Sequence, residues 1–288
     1  MESCRSKGVG LKRFAALCIL AVSRFTWAEV QVEPVVPATP EIAELVQELQ
    51  SAIAASAPAI TGSDVRVTVG RAAFEEALAA EDTRPIIAAY LTSSEFESAF
   101  AGRKPAHVTA VFSNPDPRDQ AALARALLGR SSLAAFDSPT THHLVELLVG
   151  SADPIPAGVE QKIDSLLRAA DPFDAIIALP DPNLLNRSSI SHVVRTLYAR
   201  RKVLIGYSAT LTKVGALASV YVSPEAISEG VVDVLSEYAA RGTLVRPRFV
   251  SDVDVVVNDR LARSLNIPVP EHAELLNAVR SRRNEGAP

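Results

Sequence analysis

The chain has 288 residues, 48% hydrophobic, 22% charged and 5% aromatic, a composition that fits one large or two moderate packed domains and excludes a disordered tail or a fibre. Its two cysteines, Cys4 and Cys18, form no CxxC and have no histidine pair nearby, which excludes the usual cysteine-based zinc and redox sites. A formal charge of -4 argues against a dedicated nucleic-acid binder.

Four basic residues (Arg5, Lys7, Lys12 and Arg13) precede the apolar run 14–22, and Thr26-Trp27-Ala28 supplies small residues at the last and third-last positions of a cleavage site. Residues 1–28 are therefore expected to be an export signal cleaved after Ala28. The apolar run would rise only about 13 Å as a helix, too short for a hydrocarbon core of about 30 Å. Cys18 lacks the small residue that a lipoprotein signal places directly before its cysteine. Cleavage removes both cysteines, five basic residues and Glu2, leaving 24 basic and 32 acidic residues and a net charge of -8.

After a Pro-rich stretch at 34–40, Ile42, Leu45, Val46 and Leu49 recur at helical spacing, with Thr39 as a cap. A strand is expected at 65–69, a helix at 71–80, a strand at 85–91, a short helix at 94–100, a strand at 107–112 and a helix at 119–128. A second series follows, with strands at 132–136, 173–179, 202–207 and 216–221 and helices at 189–199 and 224–238. The latter opens on Pro224 and Glu225, which suit a first helical turn. A last strand at 253–257 leads to a helix at 259–265, and 280–288 is expected to be frayed. Strands of β-branched residues alternating with helices indicate parallel sheets covered on both faces. Two such units suit one large doubly wound sheet, a Rossmann pair or two lobes around a cleft.

No GxGxxG follows the first strand and no GxxxxGK[ST] occurs, so no cofactor fingerprint is present. His142-His143 is the only histidine pair, and neighbours on a helix point about 100° apart, unlike an i, i+4 metal pair. His107, His192 and His272 are isolated, no serine sits in GxSxG, and Asp171, Asp174 and Asp181 each suit a turn or helix stop. The more informative polar residues follow strands, where open parallel sheets place ligands: 92–94, 113–116, 137–138, 180–186 and 207–210. Five such loops ringing one crevice make a small-molecule pocket.

The segments Asp174-Ala-Ile-Ile-Ala-Leu-Pro-Asp-Pro-Asn183, Val203-Leu-Ile-Gly-Tyr-Ser208 and Lys213-Val-Gly-Ala-Leu-Ala-Ser219, taken in order, resemble a family of periplasmic substrate-binding proteins of ABC transporters. This is the uncharacterised-transport group related to aromatic-amino-acid binders. The run from Val255 to Ile267 resembles that family's last strand, asparagine and helix, while Thr109 to Phe112 and Pro117 to Gln120 resemble the end of its first-lobe strand and the next helix. The likeness spans about 85–270.

The resemblance implies an α/β, two-lobe, periplasmic-binding-protein type I-like fold, with parallel sheets flanked by helices and a hinged cleft. Lobe 1 would contain 29–130 and 223–288, and lobe 2 would contain 131–222. By the same resemblance Ser93 and Asn114 face the cleft from one lobe, and Asp137, Asp181, Asn183, Tyr207 and Ser208 from the other. No catalytic residue, cofactor or metal is implied. The implied role is a monomeric, non-enzymatic periplasmic protein that captures a small organic solute, amino-acid-like in character, and delivers it to an inner-membrane ABC permease. Two departures stand out. Tyr207-Ser-Ala-Thr-Leu-Thr replaces a more acidic loop, and Pro154, Pro156 and Gly158 interrupt the expected helix, strand, helix between 136 and 173. Either the strand is compressed into 144–149 or an element is lost, and the second case favours an accessory or sensory protein acting through a protein partner.

Overall fold

The computed structural model describes residues 30–34, 39–56, 64–80, 83–100, 104–158 and 161–285; the expected export signal lies outside them. A first sheet holds five parallel strands in the order β1 (Val30–Pro34), β2 (Val65–Val69), β3 (Ile86–Leu91), β4 (Val108–Phe112) and β10 (Arg248–Phe249). Helices α1 (Pro40–Ala55) and α9 (Pro224–Arg241) cover one face, where Leu49, Val231 and Leu235 pack with Val67, Ile87 and Val111. On the other face, α2 (Gly70–Ala79) and α3 (Ser93–Ser98) bring Phe74 and Phe96 onto Ile86, Ala88 and Ala110.

The second sheet runs β11 (Asp254–Val257), β9 (Ala218–Tyr221), β8 (Val203–Gly206), β7 (Ala175–Ile177), β5 (Leu133–Asp137) and β6 (Asp153–Pro156). One face is covered by α4 (Pro117–Leu128), α5 (His142–Val145) with the 3-10 turn Glu146–Leu148, α10 (Asp259–Leu265) and α11 (His272–Glu285). The other carries α6 (Ile163–Ala169), α7 (Ile190–Ala199) and α8 (Ala209–Val214). The near-continuous apolar strands expected of a sheet buried on both faces are seen in β7 and β8, where every residue is buried.

Most expected elements form within one or two residues of their predicted bounds, and four expectations need correction. The sheet is not wholly parallel, because β11 returns antiparallel to β9. No strand forms at 144–149; Leu144, Val145 and Leu148 are buried at helical spacing instead, and the strand is β6. Its prolines are tolerated because β6 is an edge strand, and the bond from Ala157 N to Asp137 O sets the register so that the odd-numbered amides face β5 while Pro154 and Pro156 point away. The second lobe has therefore not lost its strand. Residues 280–285 are helical in α11, where Arg280 pairs with Asp252 and Arg282 with Asp119.

The lobes also divide differently from the expected 29–130 with 223–288 against 131–222. The buried α4 residues Leu123 and Leu127 belong to the core of the second sheet, as do Val255, Ala262, Leu275 and Val279. The chain thus crosses between lobes near 113–116, near 222–223 and near 250–253, so that 117–128 and 253–285 go with the second lobe. Helix α8 and strands β1 and β10 had no sequence signal strong enough to be expected. α8 is a six-residue helix ended by Gly215 at φ 120°, and β10 is a two-residue edge strand.

Candidate functional site

The second sheet has a reversal in strand order. From β5 the chain passes α5 on one face to β6, then returns by α6 on the other face to β7 on the far side of β5. The carboxyl ends of β5 and β7 are therefore the position where doubly wound sheets hold ligands, and the crevice between the strand-end loops is the candidate site. The residues there are Asp137 and Ser138 after β5 and Pro180 to Asn183 after β7, with Tyr207 and Ser208 after β8 alongside. Facing them are the loops after β3 and β4 of the first lobe.

The first-lobe wall is set by α3, which at six residues is too short to be stable alone. Phe96 holds it down, stacked on Phe74 at 5.3 Å and edge-on to Phe100 and Phe112 at 5.1 and 5.6 Å. A capping box starts the helix: Thr92 Oγ1 accepts from Glu95 N at 3.2 Å, and the Thr92 amide and hydroxyl donate to Glu95 Oε2 at 2.7 and 2.9 Å. Ser93 and Asn114 are each 1% exposed, and the Ser93 amide donates to Asn114 Oδ1 at 2.7 Å. Asn114 Nδ2 donates to Pro115 O at 3.1 Å, so this side chain is committed to tying the α3 turn to the crossing after β4. The hydroxyls of Ser93 and Ser94 are buried without a hydrogen-bond partner.

On the opposite wall Asp181, 3% exposed, accepts from the amides of Asn183 and Leu184 at 2.8 and 3.3 Å through Oδ1, and from Ser138 Oγ at 2.5 Å through Oδ2. It is the link that closes the β5 and β7 loops onto each other. Asn183 is exposed on that turn, with no side-chain hydrogen bond among the described residues. Asp137 Oδ1 accepts from His142 Nδ1 at 2.9 Å, a bond that raises the imidazole pKa, helped by the charges of Asp137 and Glu146. Tyr207 is half-buried and its hydroxyl has no partner among the described residues. Burial raises its pKa, and the carboxylates of Glu95 in the first lobe and Asp181 in the second raise it further. Ser208 precedes α8 without capping it through its side chain.

The structure therefore gathers all seven expected residues at the carboxyl ends of strands, and it pairs Ser93 with Asn114 and Asp181 with the Asn183 amide. Four participants were not among the expected site residues. Glu95 is visible in the sequence only as the acid of a capping box. Ser138 bridges to an aspartate 43 residues away. Gln120, buried on α4, donates from Nε2 to Ala178 O and Ile205 O at 2.8 and 3.1 Å, anchoring the crossover helix to the ends of β7 and β8. His143 is lowered in pKa by burial, has its Nε2 buried without a partner, and senses the charges of Glu97 and Lys104 from the first lobe.

Chemically the crevice offers hydroxyls, amides, a tyrosine face and carboxylates. Ser138 Oγ is bonded to Asp181 and lies 3.1 Å from Thr141 Oγ1, and no bond joins it to His142. Among the described residues no three His, Cys, Asp or Glu side chains converge as a metal site, and no helix is long and apolar enough to cross a membrane. Two depressions of about 470 and 280 Å³ lie at the amino ends of the sheets, lined by Asp64, Arg84 and Tyr238 and by Asp174, Arg201 and Asn266. Both are away from the carboxyl strand ends, the ligand position of doubly wound sheets, so the crevice there is the better candidate site.

No family profile and no curated protein matches the sequence. Solved structures do match over nearly the whole described chain. A conserved domain protein from Vibrio cholerae is 19% identical, covering 87% of this chain and 98% of its own, with a TM-score of 0.57. An ABC domain from Streptococcus pneumonia in complex with L-Trp gives the same identity, coverage and TM-score. The ligand-free, open form of a substrate-binding protein with adhesive properties from Clostridium difficile is 12% identical, covering 85% and 96%, with a TM-score of 0.60. At such identities the likeness is one of architecture: the chain has the two-lobe α/β type I fold of periplasmic binding proteins.

Proposed function

We propose that the protein is the exported solute-binding component of an ABC-type uptake system. It binds a small organic solute between its lobes and presents the closed form to a membrane permease. The supporting observation is the topology: polar loops follow the carboxyl ends of strands in both sheets, and in the second sheet Asp181 ties the β7 loop to the β5 loop through Ser138. Ser93, Asn114, Asp137, Asp181, Asn183, Tyr207 and Ser208 form the walls of the crevice. Asn114 and Asp181 act as the scaffold, because their hydrogen-bonding capacity is largely taken within the protein. Asn183, Tyr207, Ser208 and the Ser93 hydroxyl are the groups left to meet the solute. The protein acts by binding rather than turnover, as a monomer, in the periplasm, and needs neither cofactor nor nucleic acid.

That internal commitment of Asn114 and Asp181 also favours a second reading, an accessory protein that keeps the fold and acts through a protein partner. Native mass spectrometry of the purified protein separates the two. A defined small-molecule adduct near one per chain, released on unfolding, is the expected result. A protein carrying no adduct and taking up none from a periplasmic extract would contradict the solute-binding reading.

A further inference from the structure

The first-lobe wall of the crevice is reached through a strained residue. Tyr90, in the last turn of chain along β3, has φ 57°, and it stands where the pairing of β3 with β4 slips, between Ala89 and Leu91. Crowding of Cβ disfavours this left-handed region for an aromatic residue, which persists there only where its surroundings hold it. The hold is on the hydroxyl. Tyr90 Oη donates to Pro224 O at 3.1 Å and lies 2.7 Å from Ser228 Oγ, whose side chain is buried.

Both partners belong to the first turns of α9, directly after the crossing at 222–223. Ser223 Oγ starts that helix by accepting from Ala226 N at 3.2 Å, and Val222 packs against the cores of both sheets. In the other direction along the chain, Leu91 is buried, Thr92 caps α3, and the Ser93 amide donates to Asn114 at the crossing after β4. The four residues 90–93 therefore join two of the three crossings, and they carry the crevice wall between them.

We propose that Tyr90 is a positioning residue of the hinge: its hydroxyl, fixed on α9, couples the α3 wall of the crevice to the crossings at 113–116 and 222–223, so that wall and lobe angle change together. This rests on the solute-binding reading in taking the lobes to move, and adds the device that links movement to the site. A left-handed residue at a strand slip has two discrete states, held and relaxed. Movement of α9 pulls on the Tyr90 hydroxyl. Relaxation of φ towards extended backbone then re-aims Leu91 and Thr92, and with them the cap of α3 and the Ser93 amide.

The test uses Tyr90→Phe, which keeps the ring and removes the hydroxyl, and Ser228→Ala, which removes one partner from the other side. Nitroxide labels at Glu76→Cys in α2 and Ser191→Cys in α7, exposed and in different lobes, report the lobe angle by pulsed dipolar spectroscopy of the solute-free protein. The distance distribution should widen in Tyr90→Phe and, to a smaller extent, in Ser228→Ala, and the double variant should go no further than Tyr90→Phe alone. Hydrogen exchange at the amides of Ser93 and Glu95 in α3 should become about tenfold faster in Tyr90→Phe, while that of α2 stays unchanged. A distribution unchanged in both variants, or unchanged exchange in α3, overturns the coupling and leaves Tyr90 as a tether within the first lobe. All of this is read without solute, so failure of the coupling is distinct from failure of solute binding, which the adduct measurement above decides.

Discussion

Asp181 has the most internal work of any crevice residue. Its Oδ1 stops the β7 loop by accepting two backbone amides and its Oδ2 receives the Ser138 hydroxyl, so removing the carboxylate takes away the acceptor of two backbone amides and leaves the Ser138 hydroxyl with Thr141 alone. Asp181→Ala should therefore lose about 2 kcal/mol in urea unfolding even with no solute present, while Asn183→Ala, on the exposed side of the same turn, should change stability by less than about 0.5 kcal/mol. Equal stability of Asp181→Ala and the wild type would remove Asp181 from the scaffold. Sequence alone showed that an aspartate between two prolines at a strand end forms a turn. It did not show whether the oxygens face a solute or the protein, because their partner Ser138 comes from a different strand and no spacing rule connects the two. A Cβ at Gly206 would fall 2.2 Å from Ser219 Oγ and 2.8 Å from Leu211 Cβ, so the strand end before Tyr207 has room for no side chain.

At the scale of elements, α4 and α11 decide how the lobes are joined. α4 starts at Asp116, whose carboxylate accepts from Arg118 N at 2.9 Å, immediately after the crossing at 113–115. It is fixed to the second lobe by Gln120 and by Asp119, which is fully buried and receives the Arg282 guanidinium from α11, with Nε at 3.0 Å. Breaking a buried ion pair from one side strands the other charge. Arg282→Ala should cost about 2 to 3 kcal/mol of stability by denaturant unfolding. Arg282→Lys should recover only part of that, because a lysine cannot match the guanidinium fork. An Arg282→Ala protein as stable as wild type would show that α11 contributes nothing to the crossing. Residues 280–288 were expected to be frayed, since the run from Arg280 to Asn284 offers no apolar face. Its order comes from the partners Asp119 and Asp252, far away in sequence. The same limit explains β6. Prolines argue against a strand unless it lies at an edge, and edge position is a property of the whole sheet.

For the whole molecule, the alternation of strands and helices was sufficient to give a two-unit α/β chain, and the ordered segments between 174 and 219 gave the fold. What the alternation left open was the exchange of α4, β11, α10 and α11 into the second lobe, because an apolar helix face is equally satisfied by either sheet. That exchange gives three crossings, and three crossings rather than one restrict relative motion of the lobes to opening and closing about the crevice. On the proposed function, closure about the carboxyl strand ends and binding of the solute are one event. The most direct test places spin labels at Glu76→Cys in α2 and Ser191→Cys in α7, both exposed and in different lobes, on a chain whose native cysteines, Cys4 and Cys18, lie in the expected export signal. Pulsed dipolar spectroscopy is then recorded before and after adding the solute released from the purified protein. The account predicts a broad or long distance without solute that becomes shorter and narrower with it; an unchanged distribution while the solute is bound would contradict binding between the lobes.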